Sequence, residues 1–413
     1  MISARMRLRT SGSGVARWSV SVAAVLSVVA CLPDNNLVAP PTDSAVLAVL
    51  GNGFVAERYT GEVSVRGNVA YTSTWGSRLA PGNAIKIWDV TGNVPALVDS
   101  VIVPGVSTLG DVQVSDDGAL LIVATEFIPG SIMIYGLTDP LKPQLISRYS
   151  TSLTNPGVHT AEVQRVNGTL YAFLSVDPSS GIPARLVVVD LSNPAAPTQA
   201  FTAVMGNPYV HDVFVRDGIL ITALWNDGIT IWDIGGNGTG SVSNPIAIGN
   251  VGTVGGKVHN IWWYHNAITG EKRFAFVGEE GPGAIGSSSV GDIHVVDLSN
   301  FAAPREVAFY HIDGAGTHNF SVDEDRGILY AAYYNGGVRA IDIRGDLSSC
   351  DAANKSTDGR CDLARMGREV AHWIGDAQQQ VYVWGVQQSG GHVYASDMLN
   401  GIWKLTPASL PPG

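Results

Sequence analysis

Charge is scarce in this sequence. Only 15 % of its 413 residues are charged, and acids outnumber bases 36 to 25 for a net charge of −11. A chain so poor in basic residues lacks the electrostatic footprint that nucleic-acid binding requires. Helical periodicity is almost absent. No Gly-x-Ser-x-Gly elbow offers a hydrolase nucleophile. Gly278–Gly291 (GEEGPGAIGSSSVG) contains Gly and Ser but no Lys and opens no helix, which excludes a phosphate-binding loop. Asp351–Asp362 carries several oxygen side chains, but their spacing is not that of an EF-hand. Near the N-terminus, Trp18 to Ala30 is an uncharged segment of 13 residues, too short to cross a bilayer comfortably as a helix.

What remains is rich in Gly (48) and Pro (21) and dominated by short β-branched runs separated by turn signals, a combination that argues for an all-β fold. Val210–Asp233 is the clearest stretch. Val213 and Val215 alternate with polar neighbours, Asp217-Gly218 turns the chain, and Ile219–Leu224 forms a second apolar run. Asn226-Asp227-Gly228 turns it again before Ile229–Trp232, closed by Asp233. Asp-Gly and Asn-Asp-Gly accept the positive φ of tight hairpin turns. A three-stranded meander cannot bury its own faces and needs neighbours like itself.

Those neighbours recur. The third run appears as Ile85–Asp89, Ile132–Gly136, Leu186–Asp190, Ile229–Asp233, Ile293–Asp297, Val338–Asp342 and Ile402–Thr406, at intervals of roughly 43 to 64 residues, the range of four-stranded propeller blades. Leu186-Val187-Val188-Val189-Asp190, followed by Leu-Ser-Asn-Pro, resembles the signature of the LVIVD-repeat family of bacterial and archaeal surface β-propellers. The resemblance extends over nearly all of the chain after residue 45 and implies architecture rather than a reaction, since propellers host many unrelated activities. The expectation is a seven-bladed β-propeller of four-stranded antiparallel blades over residues 45–413. The seventh unit ends one strand short, so Ala45–Leu50, or a stretch close to it, is expected to close the ring as its outermost strand. The Asp ending the third strand in five units is expected to accept backbone N–H groups of the next turn.

Arg5, Arg7, Arg9 and Arg17 precede the uncharged segment, as in an export signal. Ser27-Val28-Val29-Ala30-Cys31 resembles a bacterial lipobox, which implies a signal peptide over 1–30, lipid on Cys31 and a tether over 31–44. Leu32 after the Cys, by resemblance to Gram-negative sorting, implies the outer membrane or cell surface. Without residues 1–30 the chain keeps 21 basic and 36 acidic residues, a charge of −15. Cys350 and Cys361, the remaining cysteines of an exported chain, read as a disulfide closing a surface loop.

The histidines mark a candidate site. His211, His259 and His318 begin the first strands of blades 4, 5 and 6, and His159 lies nearby in blade 3, two residues out of step, so that Ala161 is its strict equivalent. Gly61 and Gly110 hold the position in blades 1 and 2, and Tyr382 is the candidate in blade 7. First strands line a propeller's channel, so the imidazoles should converge on one mouth. Imidazole suits a divalent or copper ion, and three His with an open position is a catalytic-metal arrangement. Alternatively the rings bridge backbone groups of adjacent blades and are architectural. Loops between second and third strands open on the same face and bring Trp75, Glu126, Trp225, Asp227, Glu279, Glu280 and Tyr334.

Two functional readings follow. One is a non-enzymatic, monomeric envelope lipoprotein, held to the membrane by its lipid, whose propeller binds a protein or envelope component. The other is a Cu-, Zn- or Fe-dependent enzyme at the His mouth, distantly similar in fold and His usage to selenium-binding-protein oxidases. Carbohydrate binding would require exposed coplanar rings at Trp75 and Trp225.

Overall fold

The computed structural model describes residues 44–375 and 379–410. The expected signal segment, the expected lipid-bearing Cys31 and the expected tether lie outside the described residues except for Ser44. Within them the chain forms seven sheets, antiparallel but for one two-residue parallel edge strand in each of two. Blade 1 comprises Tyr59–Arg66, Val69–Trp75, Ala84–Asp89 and Ala96–Ile102, and blades 2 to 6 follow in chain order. Their inner strands are Thr108–Val114, Val158–Val166, Asp212–Arg216, Val258–Trp263 and Phe320–Asp323. Blade 7 comprises Val383–Ser389, His392–Asp397 and Gly401–Leu405, with an outer strand from the other end of the chain.

That outer strand is Val49–Gly53, antiparallel to Gly401–Leu405 with Val49 opposite Leu405 and Gly53 opposite Ile402. The expected segment is therefore displaced by a few residues. Ala45–Val46 instead runs parallel to Glu369–Trp373, the outer strand of blade 6. The intervening Leu47 is buried and anchors the crossing between the two blades. One segment thus covers one sheet edge and completes another, leaving neither open to foreign strands. Gly53 is required by closeness, because a Cβ there would lie 2.6 Å from the Trp88 ring.

Blade cores are built by alternation. In blade 3, Val187 and Val189 pack in one apolar cluster with blade 2, while Leu186 and Val188 pack in another with blade 4. Each sheet thus buries both faces against its neighbours, which explains the nearly continuous apolar third strands. The closing Asp residues accept turn N–H groups as expected. Asp89 and Asp190 each accept from the residue two positions on at 2.9 and 2.7 Å, and Asp233 accepts from Gly235, Asn237, Thr239 and Gly240.

Cys350 and Cys361 are joined. No residue pattern announces what the insert does next: Cys361–Asp362 runs parallel to Arg305–Tyr310 and adds a fifth strand to the edge of blade 5.

Candidate functional site at the channel mouth

The central channel has a volume of about 840 Å³. Its walls are the inner strands, and their hairpin ends define the two mouths. At the mouth where the inner strands begin, loops after second strands bridge to the next blade. Val258 N–H donates to the Trp225 carbonyl at 3.0 Å, and Tyr334 and Val383 exchange two backbone hydrogen bonds. These bridges hold the loops with strain. Phe127, Trp225, Lys257 and Tyr334 all have φ between 44° and 63°, a left-handed conformation that bulky residues avoid. The other described non-glycine residues with positive φ, Asn167 and Asp217, lie in hairpin turns that call for it.

The four histidines meet here in a row. Ring centroids are 4.1 Å apart for His159 and His211, 4.4 Å for His211 and His259, and 4.0 Å for His259 and His318. Register confirms that Ala161 is the strict equivalent of His211, since Val163 pairs with Ala172 as Val213 pairs with Thr222. A register shift between Val158 and Thr160 nonetheless carries His159 into the row. In blade 7 the position belongs to Trp384, whose ring lies 4.2 Å from His318. Tyr382, the sequence's candidate there, packs instead on Tyr334 at 4.7 Å. The extra residue before Trp384 could not be placed without knowing that Val383 bridges to Tyr334.

The histidines are not equivalent. His318 donates Nδ1–H to the Trp384 carbonyl at 2.7 Å, a strut between blades 6 and 7. His211 and His259 make no such bond, and the Nδ1 atoms of both are buried without a partner. Burial holds His211, His259 and His318 well below the ordinary imidazole range, each helped by neighbouring imidazoles. Burial also pulls on His159, but the Glu126 and Asp177 carboxylates override it and hold the ring well above the ordinary range. His159 Nδ1 lies 3.1 Å from Glu126 and 3.6 Å from Asp177.

Loop residues divide likewise. Trp225 stacks on His211 at 5.2 Å and 23°. Trp75 donates Nε1–H to Glu126 at 2.8 Å and packs tilted against Trp384. With both rings thus engaged, no exposed coplanar platform forms for a sugar. Glu280 is buried, and the Tyr334 hydroxyl donates to its Oε1 at 2.5 Å. Its Oε2 faces His211 Nε2 at 3.4 Å and His259 Nε2 at 3.9 Å. Glu279 turns away from the mouth toward His294. Asp227 is exposed on the rim, where the Asn207 amide donates to it. His265, His294, His311, His372 and His392 take no part in the row.

One layer deeper lies a feature the sequence did not disclose. The residue after each aligned position is Glu62, Asp111, Glu162, Asp212, Asn260 and Asn319 in blades 1 to 6, and all line the channel. Burial first, then neighbouring carboxylates, raises this column: Glu62 and Glu162 to about 8, and Asp212 well above its usual range. Further blade-to-blade struts, beside the one made by His318, are found here, since Ala161 N–H donates to Asp111 Oδ2 at 2.9 Å and Asn319 donates to Glu62. The available signal was the Gly-Glu, Gly-Asp, His-Asp and His-Asn steps in alignment.

At the opposite mouth several charges are paired. Arg165 pairs with Asp116 and Asp117, Arg216 with Glu324 across two blades, and Lys272 with Asp217.

A family model described as LVIVD repeat matches residues 183–203, which contain the third strand of blade 3 and most of its outer strand. No curated protein matches the chain. Among solved structures it is similar to the crystal structure of Saccharomyces cerevisiae Sqt1, with a TM-score of 0.54 and 9 % identity over 88 % of each chain. At that identity the likeness is one of fold. The chain carries an LVIVD repeat within a seven-bladed β-propeller.

Proposed function

We propose that this chain is an exported, lipid-anchored binding scaffold, non-enzymatic in itself, whose partner seats on the His-lined mouth. The observation that carries the reading is the contrast between the two mouths. One is lined by charges that are largely paired with one another. The other gathers four imidazoles, strained aromatic loops and buried ring nitrogens without partners. Around it the same set of loops exposes Leu79, Phe127, Ile128 and Val290, an apolar collar suited to a protein or envelope component. The basic segment before Trp18 and the lipobox-like Ser27–Cys31 supply the export and anchor. The net negative charge argues against nucleic acid as the partner.

Photo-crosslinking in cells tests this. A crosslinking residue at Leu79 or Ile128 should trap a discrete partner, and one at Gly390, in the hairpin at the far end of blade 7, should not. Equal trapping from both positions, or none from the collar, would contradict the reading. A second reading, a metal-dependent enzyme at the same mouth, is favoured by the convergence of His211, His259 and Glu280.

A further inference from the structure

We infer that the mouth is a binding site for one borderline divalent transition-metal ion, of the zinc or ferrous kind, held by His211 Nε2, His259 Nε2 and Glu280 Oε2. The inference rests on the mouth being the working end of the propeller and gives it a ligand class. The three donor atoms lie within 4.8 Å of one another, and all three residues are buried. Ligand atoms about 2.0–2.2 Å from a tetrahedral ion stand roughly 3.4 Å apart. The His211–Glu280 separation of 3.4 Å already meets this, and the His259–Glu280 separation of 3.9 Å needs only a few tenths of an ångström.

The surroundings orient each donor. Tyr334 occupies Oε1 of Glu280 and leaves Oε2 toward the imidazoles. The Glu280 backbone N–H is fixed by the Lys257 carbonyl at 3.0 Å, and that of His211 by Ala223 at 2.9 Å. Asn260 Oδ1 and His259 Nδ1 are both buried without a hydrogen-bond partner. A hydrogen bond between these two neighbouring orphans would satisfy both. That bond would place the proton on Nδ1 and the lone pair of Nε2 toward Glu280, as an outer partner does for metal-bound histidine. Among the described residues no Lys or Arg forms a direct ion pair with Glu280, and the charges of His159 and Lys257 favour its carboxylate only from beyond contact distance.

Glu126, His159 and Asp177 also converge within 4.8 Å. There, one nitrogen, His159 Nδ1, faces both carboxylates, so a proton on it already bridges the pair. Two nitrogens and one carboxylate oxygen form instead the donor set of known zinc and non-haem ferrous sites with open positions.

The test is a titration of the purified full chain with Co(II) after stripping with a chelator. Visible ligand-field absorption reports coordination, and circular dichroism reports folding. The expected result is one equivalent bound and displaced by Zn(II), with affinity reduced at least about tenfold in Glu280→Gln and in His259→Ala. Tyr334→Phe should weaken binding by a smaller factor. His311→Ala, which alters an exposed acid-flanked histidine, should bind as wild type does. If His259→Ala does not fold, the near-isosteric Glu280→Gln decides alone. No saturable binding by folded wild type, unchanged affinity in Glu280→Gln, or loss in Glu126→Gln instead would each overturn the assignment. The crosslinking experiment run on chelator-treated cells separates the two claims. Collar crosslinks without metal binding would leave the scaffold standing, and metal binding without collar crosslinks would leave the ion in place and remove the partner.

Discussion

At the residue scale, the burden falls on buried carboxylates with opposite environments. Asp233 is fully buried and accepts four backbone N–H groups as well as the Thr239 hydroxyl. Those backbone donors outweigh burial and hold its carboxyl well below the usual range. Asp233→Ala should lower stability by about 1–3 kcal/mol, because several buried donors lose their acceptor together. A shift in urea midpoint at neutral pH checks this, and the difference from wild type should shrink as the pH falls through the carboxylate range. Glu162 is the reverse. Burial, with Asp111 beside it, raises its carboxyl to about 8. A raised acid favours the protonated folded state, so its contribution is full below about pH 4.5 and is lost as pH climbs toward 8. Glu162→Gln should therefore be near neutral at pH 5 and stabilising by about 1–2 kcal/mol above pH 8. Equal effects at both pH values would show that the channel carboxyl titrates normally.

At the element scale, three sheet edges are covered by short added strands. Val49–Gly53 completes blade 7, and Gly53 leaves room for Trp88. Gly53→Val should destabilise by about 1–3 kcal/mol through overpacking, readable as a lower thermal midpoint, whereas no change would mean that the closing strand is not seated there. The disulfide holds Cys361–Asp362 on the edge of blade 5. Cys350→Ser/Cys361→Ser should cost about 2–3 kcal/mol and increase amide exchange along Arg305–Tyr310, with blades 1 to 4 unaffected. The third strands were legible because each repeats an apolar run closed by Asp, and hairpins such as Asp217-Gly218 gave the register. The two-residue parallel strands were not, because Ala45–Val46 and Cys361–Asp362 carry no periodicity and are defined only by the edges they meet.

At the scale of the whole molecule, the ring brings together residues that are remote in sequence. Convergence of His211, His259 and His318 followed from aligning the blades, since equal position in a repeat means equal height in the channel. Selection among them did not follow. His318 is a strut because Trp384 offers its carbonyl, and Glu280 joins the histidines while Glu279 does not because the chain at the end of a strand alternates direction. His159 enters through a register shift that no turn residue announces. The acidic column beneath is hidden because Asp and Asn at such steps also serve as ordinary turn caps.

The most direct test is a crystal structure of the chain grown with Zn(II), with anomalous difference density collected at the zinc edge. The account predicts a peak within bonding distance of His211 Nε2, His259 Nε2 and Glu280 Oε2. An empty mouth, or zinc found only at Glu126, His159 and Asp177 or at the exposed His311, would contradict it.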